Sequence, residues 1–172
     1  MPEPLVNLVS DQEIQGQAKK LFEQIKKSTD KVPKWMRVMA NCEDVLVGFF
    51  TLFKATMDNA PVDAKLKWKI AYRISEINKC EFCVSVSENQ LKTFGLTKEN
   101  MKKLNESCDD RECIALEYAE ASTEHAYNID PKIFARMKKH FSDEEIVEIT
   151  SVVGLFSFIN RFNDSLGVLP DM

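Results

Sequence analysis

The stretch VDAKLKWKIAYRISEINKCEFCVSVSENQLKTFG, residues 62–95, decides how this chain folds. Leu66, Ile70, Ile74 and Ile77 recur at steps of three and four, the period of one helical face, while Trp68 and Tyr72, four apart, share another. A helix with two apolar faces is buried on two sides, so this one is expected inside the molecule rather than on its surface. A second helix is expected from about Cys80 to Gly95, a residue that takes the left-handed C-cap conformation at little cost. Between the two stands Cys80-Glu81-Phe82-Cys83, a CxxC placed where one helix stops and the next begins.

Outward from this core the helical pattern continues. Ile14, Ala18, Leu21, Phe22 and Ile25 stripe one face of a helix from about Asp11 to Lys27, with a break from Ser28 to Pro33. The densely apolar run from Lys34 to Met57 reads as one or two buried helices with a break near Asn41 to Asp44, and Asn59-Ala60-Pro61 closes it. Downstream, Thr97 caps a short helix to about Asn105, Asp109 or Asp110 opens another to about His125, and Asp130-Pro131 forms an N-cap and N1 pair. Ser142 with Glu145 fits a capping box at the head of a final helix ending near Gly167. No alternating strand is visible, so the expected fold class is all-α. One domain is expected over residues 1–172, with a core motif at 62–106 and a C-terminal helical part at 109–168.

Composition agrees and narrows the function. The 172 residues include only five glycines and six prolines, and sheet-rich folds of this length spend more of both on turns. A net charge of -4 disfavours nucleic acid and anionic lipid as partners. The longest strongly apolar run, Val152 to Ile159, falls far short of the about 20 residues that span a bilayer. The first fifteen residues carry no basic residue and no long apolar run, and with an odd number of cysteines the chain reads as cytoplasmic. No GxGxxG or GxxxxGK[ST] loop is present, and no cofactor is expected.

The CxxC is the only compact chemical signature. In a first helical turn, residues three apart lie on the same face, so two sulfurs there reach disulfide distance without dragging the backbone. Free backbone N–H groups at a helix start also favour the reactive thiolate. Tetrahedral zinc would need four ligands, and Cys42, Cys108, Cys113, His125 and His140 do not complete a set at metal-ligand spacing, so no metal is expected. Cys42, Cys108 and Cys113 are expected to be spectators that pack as small apolar residues. Trp68 and Phe82 are expected in the core or at a subunit interface, with the lining of a pocket beside the cysteines as the alternative.

The stretch from Lys67 to Met101, together with the tail FSDEEIVEITSVVGLFSFINRFNDSLGV, Phe141 to Val168, resembles the carboxymuconolactone decarboxylase and alkylhydroperoxidase D-like family. The resemblance implies an all-helical domain that assembles into dimers, trimers or hexamers. In its redox branch a glutamate stands twelve residues before the first cysteine, and a histidine four after the second draws that thiol's proton. Carried over, Cys83 is the peroxide-facing nucleophile and Cys80 the resolving thiol, while Trp68 replaces the glutamate and Ser87 the histidine. Serine is no base near neutral pH and tryptophan carries no proton relay. Glu76, one turn before Cys80, is the candidate substitute. The implied function is a thiol-disulfide oxidoreductase or weak peroxidase acting on a peroxide or disulfide and recharged by a thiol reductant. The competing reading is a non-catalytic oligomeric scaffold or small-molecule binder.

Overall fold

The sequence Lys65-Leu-Lys-Trp-Lys-Ile-Ala-Tyr-Arg73 places four cations on what becomes the central helix, and the fold is built around the way most of them are neutralised. The computed structural model describes residues 4–29, 31–58 and 61–170. Asp30 and the Asn59-Ala60 pair, where the sequence reading places breaks, lie outside these residues. Among the described residues there are helices and no strand: α1 (Gly16–Thr29), α2 (Lys34–Met39), α3 (Glu43–Met57), α4 (Ala64–Ile77), α5 (Glu81–Thr93), α6 (Lys98–Lys102), α7 (Asp110–His125), a 3-10 turn (Ala126–Asn128), α8 (Pro131–His140) and α9 (Asp143–Ser165).

Helix α4 packs against α5, α7 and α9. Leu66, Ile70, Ala71, Tyr72 and Ile74 are buried, and so are Lys67 and Lys69. Each cation that points inward meets an acid from a neighbour: Lys67 with Glu148 of α9 at 2.5 Å, Lys69 with Glu112 of α7 at 2.6 Å, and half-buried Arg73 with Glu120 of α7 at 2.5 Å. Glu148 also accepts the backbone N–H of Val62 at 2.7 Å, so one carboxylate ties α9 to the entry of α4. A buried ammonium is tolerable only with such a partner, which is why a lysine-rich helix can sit in the middle.

Most helix starts follow the sequence. Asp109 and Asp130 accept backbone N–H groups of the first turns of α7 and α8, and Ser142 and Glu145 form the reciprocal capping box of α9; Asp63 caps α4 in the same way, a cap the sequence reading does not name. Helix α1 starts later than its apolar stripe suggests. Ser10 and Glu13 close a separate turn upon themselves, and Gly16 takes the left-handed conformation, φ +60°. A Cβ at Gly16 would lie 2.5 Å from the Glu43 carboxylate, which receives the Gln17 backbone N–H. Helix α6 stops at Lys102, short of Asn105.

The cysteines depart from the sequence reading in one respect. Cys108 and Cys113, expected as spectator thiols, are joined in a disulfide with Cα atoms 5.3 Å apart. The Asp109 cap sets Cys108 just before α7 and Cys113 in its first turn, which brings the two side chains together across the helix start. Cys42 is a free, exposed thiol, while Cys80 and Cys83 are free and buried.

Candidate functional site around the CxxC

The CxxC is delivered by a tight reversal between α4 and α5. Cys80 N–H donates to the Ser75 carbonyl at 3.0 Å and Lys79 N–H to the Glu76 carbonyl at 3.1 Å, the paired bonds of a Schellman ending. The residue in the left-handed position of such an ending is usually glycine; here it is Lys79, φ +60°. Directly after it, Cys80 becomes the N-cap of α5 and Cys83 falls in its first turn.

The two thiols are not equivalent. Cys80 is fully buried, whereas Cys83, 3% exposed, forms part of a pocket wall. The Cys80 thiol donates toward Cys83, and that bond together with burial pushes the Cys80 thiol well up from its ordinary value. Cys83 goes the other way: the hydrogen bond from Cys80, with further ones from Asn163 and Asn160, outweighs burial and the Asp164 charge and lowers its pKa. Cys83 is thus the member of the pair poised to be a thiolate.

Asn163 Nδ2 donates to Cys83 Sγ at 3.3 Å, and Asn160, one turn earlier on α9, joins Asn78 Nδ2 at 2.9 Å and Ser75 Oγ at 3.1 Å. Both asparagines are fully buried. The sequence reading missed them, although two asparagines three apart inside the apolar run FSFINRFN are polar residues on a core-facing step and so a readable signal.

The other candidate residues are placed differently. Ser87 lies one turn beyond Cys83 on α5, fully buried, and its Oγ has no hydrogen-bond partner. The Glu76 carboxylate accepts from Tyr72 OH at 2.9 Å and is 3.5 Å from Arg73 Nη1, on the side of α4 that Arg73 links to Glu120. Those bonds hold Glu76 in the ionic network between α4 and α7, and the polar residues that reach Cys83 come from α9 instead.

The pocket that Cys83 faces is aromatic. Successive ring contacts run from Trp35 to Phe49 (5.4 Å), Phe53 (6.3 Å), Trp68 (6.4 Å) and Phe156 (5.9 Å), and Phe82, Val86 and Ile159 complete the apolar wall. Phe82 is buried in the core and Trp68 packs against it, as expected, and both also line the pocket beside the cysteines. The cavity is about 80 Å³, and among the described residues that line it the polar side chains are Cys83 and Asn163, with the indole N–H groups. Among the described residues no group of three or more His, Cys, Asp or Glu is placed to hold a metal ion, and no helix is long and apolar enough to cross a membrane.

No family-level sequence profile matches the chain. It is 28% identical over 116 residues to an uncharacterized Escherichia coli protein, YnjA, and the match spans 63% of this chain and 63% of that relative, less than two thirds of its length. The structure is similar to the alkylhydroperoxidase AhpD core of an uncharacterized peroxidase-related protein from Ralstonia eutropha, with a TM-score of 0.90 at 17% identity over 99% of this chain and 94% of that one. It is also similar to the debrominase Bmp8, solved as a cysteine-to-alanine variant in complex with 2,3,4-tribromopyrrole, with a TM-score of 0.80 at 20% identity over 96% of this chain and 92% of that one.

Proposed function

The protein has the alkylhydroperoxidase D-like all-α fold, and on that premise we propose that it is a peroxidase-like thiol-disulfide oxidoreductase with Cys83 as nucleophile and Cys80 as resolving thiol. The observation that carries this reading is the asymmetry of the pair. Cys83 lines a pocket and is favoured as the thiolate, while Cys80 is buried behind it and held as the thiol.

The chemistry follows from that asymmetry. The Cys83 thiolate attacks the hydroxyl oxygen of a peroxide ROOH; an S–O bond forms, the O–O bond breaks, and the departing alkoxide takes up from solvent the equivalent of the proton that the Cys83 thiol released, leaving as ROH. Cys83 is now a sulfenic acid. Cys80 sulfur attacks it, the S–O bond breaks, and hydroxide leaves with the Cys80 proton as water. The sulfur pair has lost two electrons, and an external dithiol restores it. Cys80 and Asn163 supply hydrogen bonds that favour the thiolate, in a site with no base at position 87.

A dithiol-coupled peroxide assay tests this directly. Cys83→Ser should abolish turnover, and Cys80→Ser should stop after one equivalent with a trappable sulfenic acid at Cys83. Turnover at the parental rate in Cys83→Ser overturns the reading. The binder reading has one observation in its favour, the aromatic pocket; a debrominase of this fold, solved with a brominated pyrrole, supports a small apolar ring as its occupant. We propose self-association as well. An apolar strip on α3 and α9, where Val45, Leu52 and Phe158 are exposed around Gly48 and Gly154 and which shares Phe49 with the pocket, supports it, and light scattering at micromolar concentration tests it.

A further inference from the structure

The disulfide lies apart from the site built on Cys83. Cys108 and Cys113, both half-buried, join across the start of α7 and line a polar cleft of about 240 Å³ that Asn105, Glu117 and Glu120 complete. That volume is several times the roughly 30 Å³ share of one water molecule, so the cleft has room for a small solute beside the sulfurs. It shares no residue with the aromatic pocket, whose walls come from α2, α3, α4, α5 and α9. A reaction partner of the second pair therefore comes from solvent and not from Cys83.

The S–S bond is not what holds this part of the chain. A disulfide stabilises most when it closes a long loop, and this one closes a ring over a spacing of five. Inside that ring the backbone is already fixed. Asp109 accepts the N–H of Glu112 at its side chain and that of Cys113 at its carbonyl, both at 2.8 Å. Arg111 pairs with Glu145 at 2.5 Å and lies over the Phe141 ring, and Glu112 pairs with Lys69 at 2.6 Å. These contacts keep both cysteines at the same helix start whether or not their sulfurs are bonded, so the pair can open and reclose without unfolding α7.

The charges around the cleft admit a thiolate. Glu117 and Glu120 are each held by an arginine, Arg136 at 2.6 Å and Arg73 at 2.5 Å, which offsets their repulsion of an approaching anion. A Cys113 thiolate released by opening the bond lies in the first turn of α7, where the helix dipole favours negative charge. We propose that Cys108–Cys113 is a second thiol–disulfide exchange site, reduced from solvent by low-molecular-weight thiols, RSH. A thiolate RS⁻ attacks the Cys108 sulfur, the S–S bond breaks, and Cys113 leaves as the thiolate. A second RS⁻ attacks the RS sulfur of the mixed disulfide, releasing RSSR and the Cys108 thiolate. The two cysteines take up the protons that the two thiols gave up, and the pair gains the two electrons that the thiols lose. The inference goes beyond the proposed function and does not rest on the chemistry assigned to Cys83.

The test uses the folded full-length protein with glutathione as the thiol, and alkylation followed by peptide mass mapping, which reads the two cysteine pairs separately. Cys108–Cys113 should pass from mostly oxidised to mostly reduced as the ratio of reduced to oxidised glutathione rises, and should reoxidise when the ratio is reversed. The reduction rate should rise about tenfold for tenfold more glutathione. It should stay within about twofold in urea below the unfolding transition, because opening through the unfolded state would speed up steeply with urea. The reduced protein should keep its helical circular dichroism and a cooperative thermal transition. A pair that stays oxidised while the protein is folded, a rate that climbs with urea as the unfolded fraction does, or loss of cooperative unfolding on reduction overturns the inference and makes the bond a structural staple. Exchange at Cys108–Cys113 in a protein whose Cys83→Ser form still consumes peroxide would support this inference and overturn the proposed function; Cys83-dependent turnover with an inert Cys108–Cys113 bond would do the reverse.

Discussion

Asn163 Nδ2 lies 3.3 Å from Cys83 Sγ, a donor from α9 aimed at a sulfur in the first turn of α5, eighty residues away in sequence. That contact, with the hydrogen bond from Cys80, gives Cys83 a lowered pKa although the thiol is buried, and leads to the first prediction. The rate of Cys83 alkylation against pH should show a midpoint below the about 8.5 of a free thiol. Asn163→Leu and Cys80→Ala should each raise that midpoint. A folded pKa below the unfolded one stabilises the reduced protein above the unfolded value, and that stability is lost as pH falls through the folded value. The cost of Asn163→Leu in urea unfolding should therefore be larger at about pH 9 than at about pH 5. An unshifted alkylation midpoint in both variants would exclude the assigned hydrogen bonds.

Ser87 carries a buried hydroxyl with no partner, which costs roughly 1–3 kcal/mol against an apolar group of the same shape. Ser87→Ala should leave stability unchanged or raise it by about 1 kcal/mol, and should leave the Cys83 alkylation profile where it is. Loss of activity in Ser87→Ala with the profile unmoved would assign the hydroxyl a role in turnover.

The buried ion pairs of α4 should be unequal. Lys67 is fully buried and Glu148 nearly so, while Lys69 and Glu112 keep more solvent. Glu148→Gln removes the carboxylate charge that faces the buried Lys67 ammonium and should cost about 3 kcal/mol in denaturant unfolding. Glu112→Gln should cost clearly less. Equal losses would mean that burial does not govern these pairs.

Two left-handed residues give a paired test. Lys79 pays the steric penalty of a side chain at φ +60° in an exposed reversal, so Lys79→Gly should raise stability by about 0.5–1 kcal/mol. Gly16 is the opposite case, since a methyl there meets both the backbone penalty and the Glu43 carboxylate; Gly16→Ala should cost about 1–2 kcal/mol. Thermal or urea midpoints of the two variants should move in opposite directions.

Much of the fold was legible because helix periodicity and capping act over three or four residues. The caps at Thr97, Asp109, Asp130 and Ser142 and the break between α2 and α3 are local facts. So is the position of the CxxC at a helix start. The later beginning of α1 was hidden because it depends on Glu43, from another helix, meeting the backbone beside Gly16. The Cys108–Cys113 disulfide was hidden for a related reason: a spacing of five permits a bridge without requiring one.

The sequence by itself determined that this chain is helical, that its centre is the lysine-bearing helix before the CxxC, and that the position of the motif favours thiolate chemistry. Only the tertiary structure decided which acids neutralise the buried lysines, which side chains hydrogen-bond Cys83, and what surrounds it. Those outcomes join residues tens of positions apart on α2, α3, α4, α5, α7 and α9, and the pattern of one helix does not specify which face of another it will meet. Glu76, near in sequence, is taken up between α4 and α7, while Asn163, far away, supplies the hydrogen bond to Cys83.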